Sequence, residues 1–450
     1  MEGPLPWPGE DNPVEQFYKQ ADFGFVRDRL REVISLCEPG SKQYRQEHED
    51  RSSLKCCKDL QFCLAKNIKL DFSSLVERVH QENLKYRKDI FQPGDITLSG
   101  CRIDADNLGR QLELMSPLQS WAPEMQNLKE SDENTKDDCD IVIDTPTYVV
   151  KLDASVNMYH HFCDFFNLYL SIHMNQSISG MDVTSWSVNK QVLLLENIPY
   201  RSSFSPTWSA FTSLPLMDLK SVAGKKVCLK GAMFPLLPRM LFGLFYNTPI
   251  VSGCSNSGLF RSFSQFILHR LNIPSYGLLA DQRMRVTLIS RDTRFRRVNN
   301  EGQLAKALEQ TGFYKVTLAR FSSHVPFPSQ LTMTHNTDIL VGMHGAGLTH
   351  LLFLPDWAEV FELYNCDDPE CYKDLARIRG VGYTTHNWGE QEDMMTVVEV
   401  KGGNTGPAHK KFVNYEFDSE EFVLMMNSVR KKVLENKLYR EQHGGRHSEL

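Results

Sequence analysis

Three stretches of the 450-residue chain hold side chains whose types and spacing could do chemistry. In TDILVGMHGAGLTHLLFLPDW, residues 337–357, a short apolar run leads into His344, Gly345, Ala346 and Gly347. Glycines after a strand let backbone approach a ligand closely, and a helix start beyond them presents free N–H groups to an anion. An imidazole in such a turn can meet a phosphate or move a proton. The glycine spacing fits neither the dinucleotide fingerprint nor the phosphate loop of kinases and ATPases, and a plain tight turn is the competing reading.

The second stretch is SRDTRFRR, where Arg291, Arg294, Arg296 and Arg297 fall between a strand pattern and a helix pattern. Guanidinium groups take phosphate oxygens in bidentate pairs, and strand ends are where α/β domains bind ligands. Alone, the loop also reads as a solvated charge run. Two phosphate-seeking loops in one domain together point to a diphosphate. Glu362 ends the following apolar run, where a carboxylate can accept both ribose hydroxyls of a nucleotide or simply meet solvent.

The third stretch, NMYHHFCDFFNLY, covers residues 157–169. On a helix His160 and Asp164 are four apart, and His161 and Asp164 three apart, so each pair can share a face. An acid, an imidazole and an amide among aromatics suit general-base work, with a structural His–Asp pair in a core helix as the alternative. The acyltransferase pattern His-His-x-x-x-Asp is missed by one residue, which counts against acyl transfer.

These side chains need elements to place them. Residues 338–343 and 358–363 read as strands buried on both faces, with one or two helical turns over 349–354 halted by Pro355. Upstream, 285–290 reads as a strand, 301–310 as a helix and 314–318 as a strand, and a terminal helix is expected over 419–439. Apolar spacing over 16–34 suggests an early helix, 122–138 an acidic linker, and 139–143 the first clear strand. A second break falls at 272–282, where IPSYG carries turn signals. The expected fold is α/β, with an N-terminal helical extension and linker over 1–135 and two α/β domains, 136–278 and 279–450. The two domains are expected to face each other across a cleft, the helix of the third stretch in one and the arginines in the other.

Composition narrows the partners. With 41% hydrophobic residues the chain can build a large core, and a net charge of −6 argues against nucleic acid or an anionic membrane as the main partner. No window holds eighteen consecutive apolar residues, so no membrane span is expected. The beginning, MEGPLPWPGEDNP, lacks a signal peptide's basic and apolar regions, whereas His447, Ser448, Glu449 and Leu450 sit one residue from an ER-retention address. The two ends agree only if a leader is missing. The eleven cysteines support a lumenal setting and contain no C-x-x-C pair, so neither a zinc site nor a thioredoxin-type motif is indicated. Cys366 and Cys371, close together in one loop, are the expected local disulfide, and Asn175 begins the one N-glycosylation sequon.

The segments KLDASVNMYHHFCDF, LLPRM, LFYNTPIVSGC, RVTLISR, VGMHGAGLTHLLFLPDW and VFELYNC resemble glycosyltransferase family 61, in its branch acting on EGF repeats of the ER lumen. The likeness runs from about Phe17 to the C-terminal tetrapeptide, while more distant relatives share chiefly the HGAGLT turn and the basic loop. It implies an inverting enzyme of GT-B type, two Rossmann-like domains facing across a cleft. Residues 136–278 would be the acceptor side and 279–450 the UDP-sugar side. The implied reaction moves GlcNAc from UDP-GlcNAc to Ser or Thr of folded EGF repeats, as in Notch-type receptors and extracellular matrix proteins, with an ER-retrieval receptor as a further partner.

Carried onto this sequence, Arg291, Arg296, His344, Gly345 and Ala346 would hold the diphosphate and Glu362 the ribose. His161 or Asp164 would sit near the acceptor, Asp164 being the favoured base, directly or through His161. The family's Asp-x-Asp after Ala-Phe-Thr is absent, because Ser213-Leu214-Pro215 follows Thr212; the pairs Asp104/Asp106 and Asp138/Asp140 have the spacing elsewhere. No metal ligand is expected, and Mn²⁺ is expected to be dispensable. Two other readings share the scaffold: a transferase for another sugar or acceptor, and a silent lumenal protein that binds UDP-sugar or EGF repeats.

Overall fold

The computed structural model describes residues 33–38, 51–76, 90–112, 116–132, 138–173, 185–240, 244–245, 256–277, 279, 281–363, 371–386, 394–398 and 410–442. The chain forms two compact units, Met1–Pro249 and Ile250–Leu450.

Among the described residues of the first unit, eleven strands make one mixed sheet. They are β1 (Val33–Glu38), β2 (Ser53–Cys57), β3 (Cys63–Asp71), β4 (Ile96–Ser99), β5 (Arg102–Ile103), β6 (Leu128–Ser131), β7 (Ile141–Ile143), β8 (Thr147–Val150), β9 (Gln191–Leu194), β10 (Met217–Asp218) and β11 (Lys226–Phe234). Their main path runs β10-β9-β8-β11-β3-β2-β1-β5. The end of it that carries β9, β8 and β11 is parallel, and β3 pairs antiparallel with β11 along nearly its whole length. Parallel neighbours need a crossover, and helix α1 (Met158–His173) supplies it between β8 and β9. Every residue of α1 is buried except Tyr159 and His160. Segment 204–211 covers it with Phe204, Trp208 and Phe211, and segment 235–238 accepts hydrogen bonds from Asn167 and Cys163.

The expected helical extension over 1–135 is corrected by this sheet. Six strands, β1 to β6, lie in that region and belong to the same sheet as β8 and β11. Val33 and Ile34 begin a strand; the rest of the expected early helix lies outside the described residues. Nor is 122–138 a free linker. It carries a short helix, Ala122–Met125, and β6, and Trp121 and Met125 are fully buried in the core. Glu124 forms a buried 2.8 Å ion pair with Lys151, whose ammonium lies over the Trp121 ring. A disulfide joins Cys37 of β1 to Cys101, a second joins Cys56 to Cys63, and a third joins Cys139 to Cys228 of β11.

The second unit is a parallel sheet of β12 (Met284–Ser290), β13 (Tyr314–Arg320), β14 (Ile339–Met343), β15 (Glu359–Leu363) and β16 (Gly382–Thr385) in the order β13-β12-β14-β15-β16. Both β14 and β15 are buried throughout, as their unbroken apolar runs require of strands covered on two faces. The connections carry α3 (Glu301–Gln310), α4 (Phe327–His335), a 3-10 segment (Ala346–Phe353) and α5 (Cys371–Arg379). Before β12 stands α2 (Gly258–Arg270), which packs on that 3-10 segment and on α5. The unit therefore begins at Ile250, upstream of the break expected near 278. A two-stranded sheet of β17 (Met395–Val398) and β18 (Asn414–Phe417) follows, then α6 (Ser419–Glu435). The expected terminal helix is interrupted at Asn436, whose extended backbone ends α6 and whose side chain accepts from Leu438 N–H to start a separate helix, Lys437–Gln442.

Candidate active site

In chain order the second unit's sheet reads 2-1-3-4-5, so connections leave β12 and β14 in opposite directions. In doubly wound sheets such a divergence marks the carboxyl ends of the two neighbouring strands as the place where ligands bind. Arg291 is the first residue beyond β12, and His344 the first beyond β14. The Nη1 of Arg291 and the Nη1 of Arg296 both donate to the carbonyl oxygen of His344, at 3.4 and 3.0 Å. Arg296 has φ 58°, uncommon for a side chain of its size. Backbone bonds hold it there: Arg296 N–H donates to Val413 at 2.7 Å, and Asn299 N–H to Tyr415 of β18 at 2.8 Å. Gly345, at φ 150°, leaves room for the two guanidinium groups; a Cβ there would collide with Arg291 Nη1. Burial and then the neighbouring Arg296 charge bring Arg291 down to about 10. Two like charges side by side, that of Arg291 partly desolvated, make a site that an anion stabilises.

Behind the turn, His344 Nδ1 lies 2.6 Å from Glu362 Oε1, and Tyr383 O–H donates to Glu362 Oε2 at 2.6 Å. Glu362 is buried, at 1% exposure, and its two oxygens are engaged by these neighbours. The side chain expected to take ribose hydroxyls is thus placed beneath the imidazole, which it orients. The ring of Tyr372 meets His344 edge-on at 5.1 Å.

The first unit brings a second cluster to the carboxyl ends of parallel strands. Asp153 follows β8, Tyr200 follows β9 and Arg239 follows β11, three adjacent strands of the sheet. Asp153 accepts from Arg239 Nη2 and Nε at 2.8 and 3.0 Å and lies 2.7 Å from His160 Nδ1. Burial pushes the Asp153 carboxyl up, but the bonds from His160 and Arg239 outweigh it and hold it below the usual range.

His161 and Asp164 do pair, at 2.9 Å, but inside α1's buried face. The bonding runs one way: Trp208 Nε1–H donates to the Tyr200 oxygen, Tyr200 O–H to His161 Nε2, His161 Nδ1–H to Asp164, and Asp153 N–H to Asp164. Burial brings His161 down to about 3 and Tyr200 up to about 12, so both are neutral. An imidazole whose Nε2 already accepts a hydroxyl proton has no lone pair for an acceptor. Asp153, Arg239, Tyr200, Tyr372 and Tyr383 were not among the residues singled out from sequence. A carboxylate three positions past a strand and just ahead of a helix was the signal for Asp153.

Asp104 caps the helix Ala105–Gln111 by accepting from Asn107 N–H. Asp140 accepts from Lys226 N–H, and Asp138 pairs with Lys226 and Lys69. These aspartates serve local structure. Asn175, Cys366 and the tail residues 447–450 lie outside the described residues, and with Cys366 the expected Cys366–Cys371 bridge.

The family model described as Glycosyltransferase 61 matches residues 158–361, from the start of α1 to one residue short of Glu362. The chain is 46% identical over 427 residues to a Drosophila melanogaster protein described as EGF domain-specific O-linked N-acetylglucosamine transferase, covering 94% of this chain and 78% of that protein. Proteins of the same description match from Pan troglodytes, at 46% identity over 93% of this chain and 76% of that one, and from Mus musculus, at 44% over 95% and 77%.

Proposed function

The chain belongs to the EGF domain-specific O-linked N-acetylglucosamine transferases of glycosyltransferase family 61, and on that premise we propose that it transfers GlcNAc from UDP-GlcNAc to Ser or Thr hydroxyls of folded EGF repeats. The observation that carries the donor side is the convergence of Arg291 and Arg296 on the His344–Gly345 turn at the β12/β14 switch point. Two guanidinium groups beside a turn opened by glycine match a diphosphate's charge. Charge gathers on the diphosphate as the sugar bond breaks, and fixed donors already aimed at it stabilise that state. Glu362 and Tyr383 act through His344, which they hold in one orientation against the ligand.

We read the two units as a GT-B pair, the second for the nucleotide sugar and the first for the acceptor hydroxyl, acting with inversion. The acceptors would be EGF repeats of the kind carried by Notch-type receptors and matrix proteins. An ER-lumenal setting belongs to the same reading, supported by three disulfides, which persist in oxidising compartments. Incubating the purified full chain with radiolabelled UDP-GlcNAc and a folded EGF repeat tests the function. Label in the repeat is expected, and release of free GlcNAc alone would overturn the reading.

A further inference from the structure

We propose that His160, set by Asp153 and Arg239, is the general base that takes the proton of the acceptor hydroxyl, in place of the buried pair His161 and Asp164. The inference rests on the transferase reading above. Three observations of the first unit meet at this residue. His160 and His161 are neighbours on α1, about 100° apart around the helix axis. One consequence is that His161 enters the core while His160 and Tyr159 are the residues of α1 that are not buried. The His160 side chain keeps 24% of its surface exposed, against 0% for His161. Its location is the second observation. Asp153 reaches it from beyond the carboxyl end of β8, and Arg239, from beyond the end of the adjacent parallel strand β11, grips Asp153.

The third observation is the bonding itself. Asp153 sits 2.7 Å from Nδ1 of His160 and is itself fixed by the two-point grip of Arg239. A carboxylate at Nδ1 places the ring proton there and leaves Nε2 as the basic atom. The Tyr159 ring stands edge-on to the imidazole at 5.7 Å and further limits its rotation. In the reaction, His160 Nε2 accepts the Ser or Thr hydroxyl proton while the oxygen's electron pair forms the bond to C1 of GlcNAc. The C1–O bond to the diphosphate breaks, and its electrons leave with UDP. The carboxylate of Asp153, itself gripped by Arg239, faces the imidazolium so formed and stabilises it, and His160 then returns its proton to solvent.

The test uses the full chain with His160→Gln and Asp153→Asn, each checked for folding by urea unfolding. His160→Gln is expected to lower kcat for transfer to a folded EGF repeat by about 100-fold or more. UDP-GlcNAc affinity by calorimetry should stay within about twofold, and the acid limb of the kcat/KM pH profile should vanish. Asp153→Asn should lower kcat with KM for UDP-GlcNAc unchanged and shift that acid limb. Should His160→Gln fail to fold, the wild-type profile still decides: an acid limb that Asp153→Asn does not move overturns the assignment. A folded His160→Gln enzyme with wild-type kcat overturns it as well, while leaving the transferase reading intact. A wild-type chain that transfers no GlcNAc overturns both.

Discussion

Arg291 and Arg296 approach one atom from two places in the same loop: both Nη1 groups donate to the carbonyl oxygen of His344. The convergence ties the end of β12 to the end of β14 and leaves two positive groups beside a glycine. Like charges are held together here by hydrogen bonds to a neutral carbonyl, and an anion placed beside them would offset their repulsion.

Arg296→Gln is therefore expected to weaken UDP binding far more than folding. A charge-assisted hydrogen bond contributes about 1.5–3 kcal/mol, or roughly ten- to 100-fold in Kd. Calorimetry with UDP should show that loss at a nearly unchanged melting temperature. Wild-type affinity in a folded variant would remove Arg296 from the site.

Gly345→Ala tests the space rather than the charge. The added Cβ would collide with Arg291 Nη1 and lie 3.3 Å from Arg296 Nη1, at a φ of 150° that favours glycine. The variant should fold with modest destabilisation and lose most of its UDP affinity and transfer. An alanine enzyme with normal kcat and KM would show that the turn tolerates a side chain.

Stability should fall in mild acid. Burial brings His161 down to about 3 and His350 down to about 4, from an ordinary 6.5. Below about pH 6.5 the unfolded chain binds a proton at each of these positions and the folded chain does not, so acid favours unfolding. The stability contribution is full above that pH and is lost as pH falls toward the folded values, by about 1.4 kcal/mol per pH unit for each histidine. Urea unfolding from neutral pH down to about pH 5 should show the slope, and His350→Asn should reduce it. Identical slopes would mean that His350 takes its proton in the folded state.

Transfer is expected to survive EDTA in large part. On the donor site proposed above, Arg291 and Arg296 would supply positive charge where the leaving diphosphate develops charge. A divalent ion would supply the same stabilisation by Lewis-acid polarisation. Added Mn²⁺ is expected at most to stimulate turnover by helping UDP leave. Complete loss of transfer in EDTA, restored by Mn²⁺, would falsify this account.

Much of the second unit could be read along the chain. The strand expected over 338–343 is β14, Ile339–Met343, and the helix expected over 301–310 is α3, Glu301–Gln310. Both are local features: unbroken apolar runs for the strands, a helical period for α3, and arginines and glycines at the strand ends. The family was also legible, because the residues of the HGAGLT turn and the His-His helix are contiguous.

Two things needed the tertiary structure. Among the described strands, β1 to β6 pair with one another, and β3 joins them to the rest by pairing with β11 across more than a hundred residues, a partnership that no local period announces. The surroundings of His160 and His161 are the second. A surface helix marks its outer face with polar residues, but α1 is buried on nearly every side, so spacing lets either histidine pair with Asp164, and the family resemblance points to His161. Asp153 beyond β8, Arg239 beyond β11 and Tyr200 beyond β9 separate them, and only the parallel packing of those three strands brings these residues together.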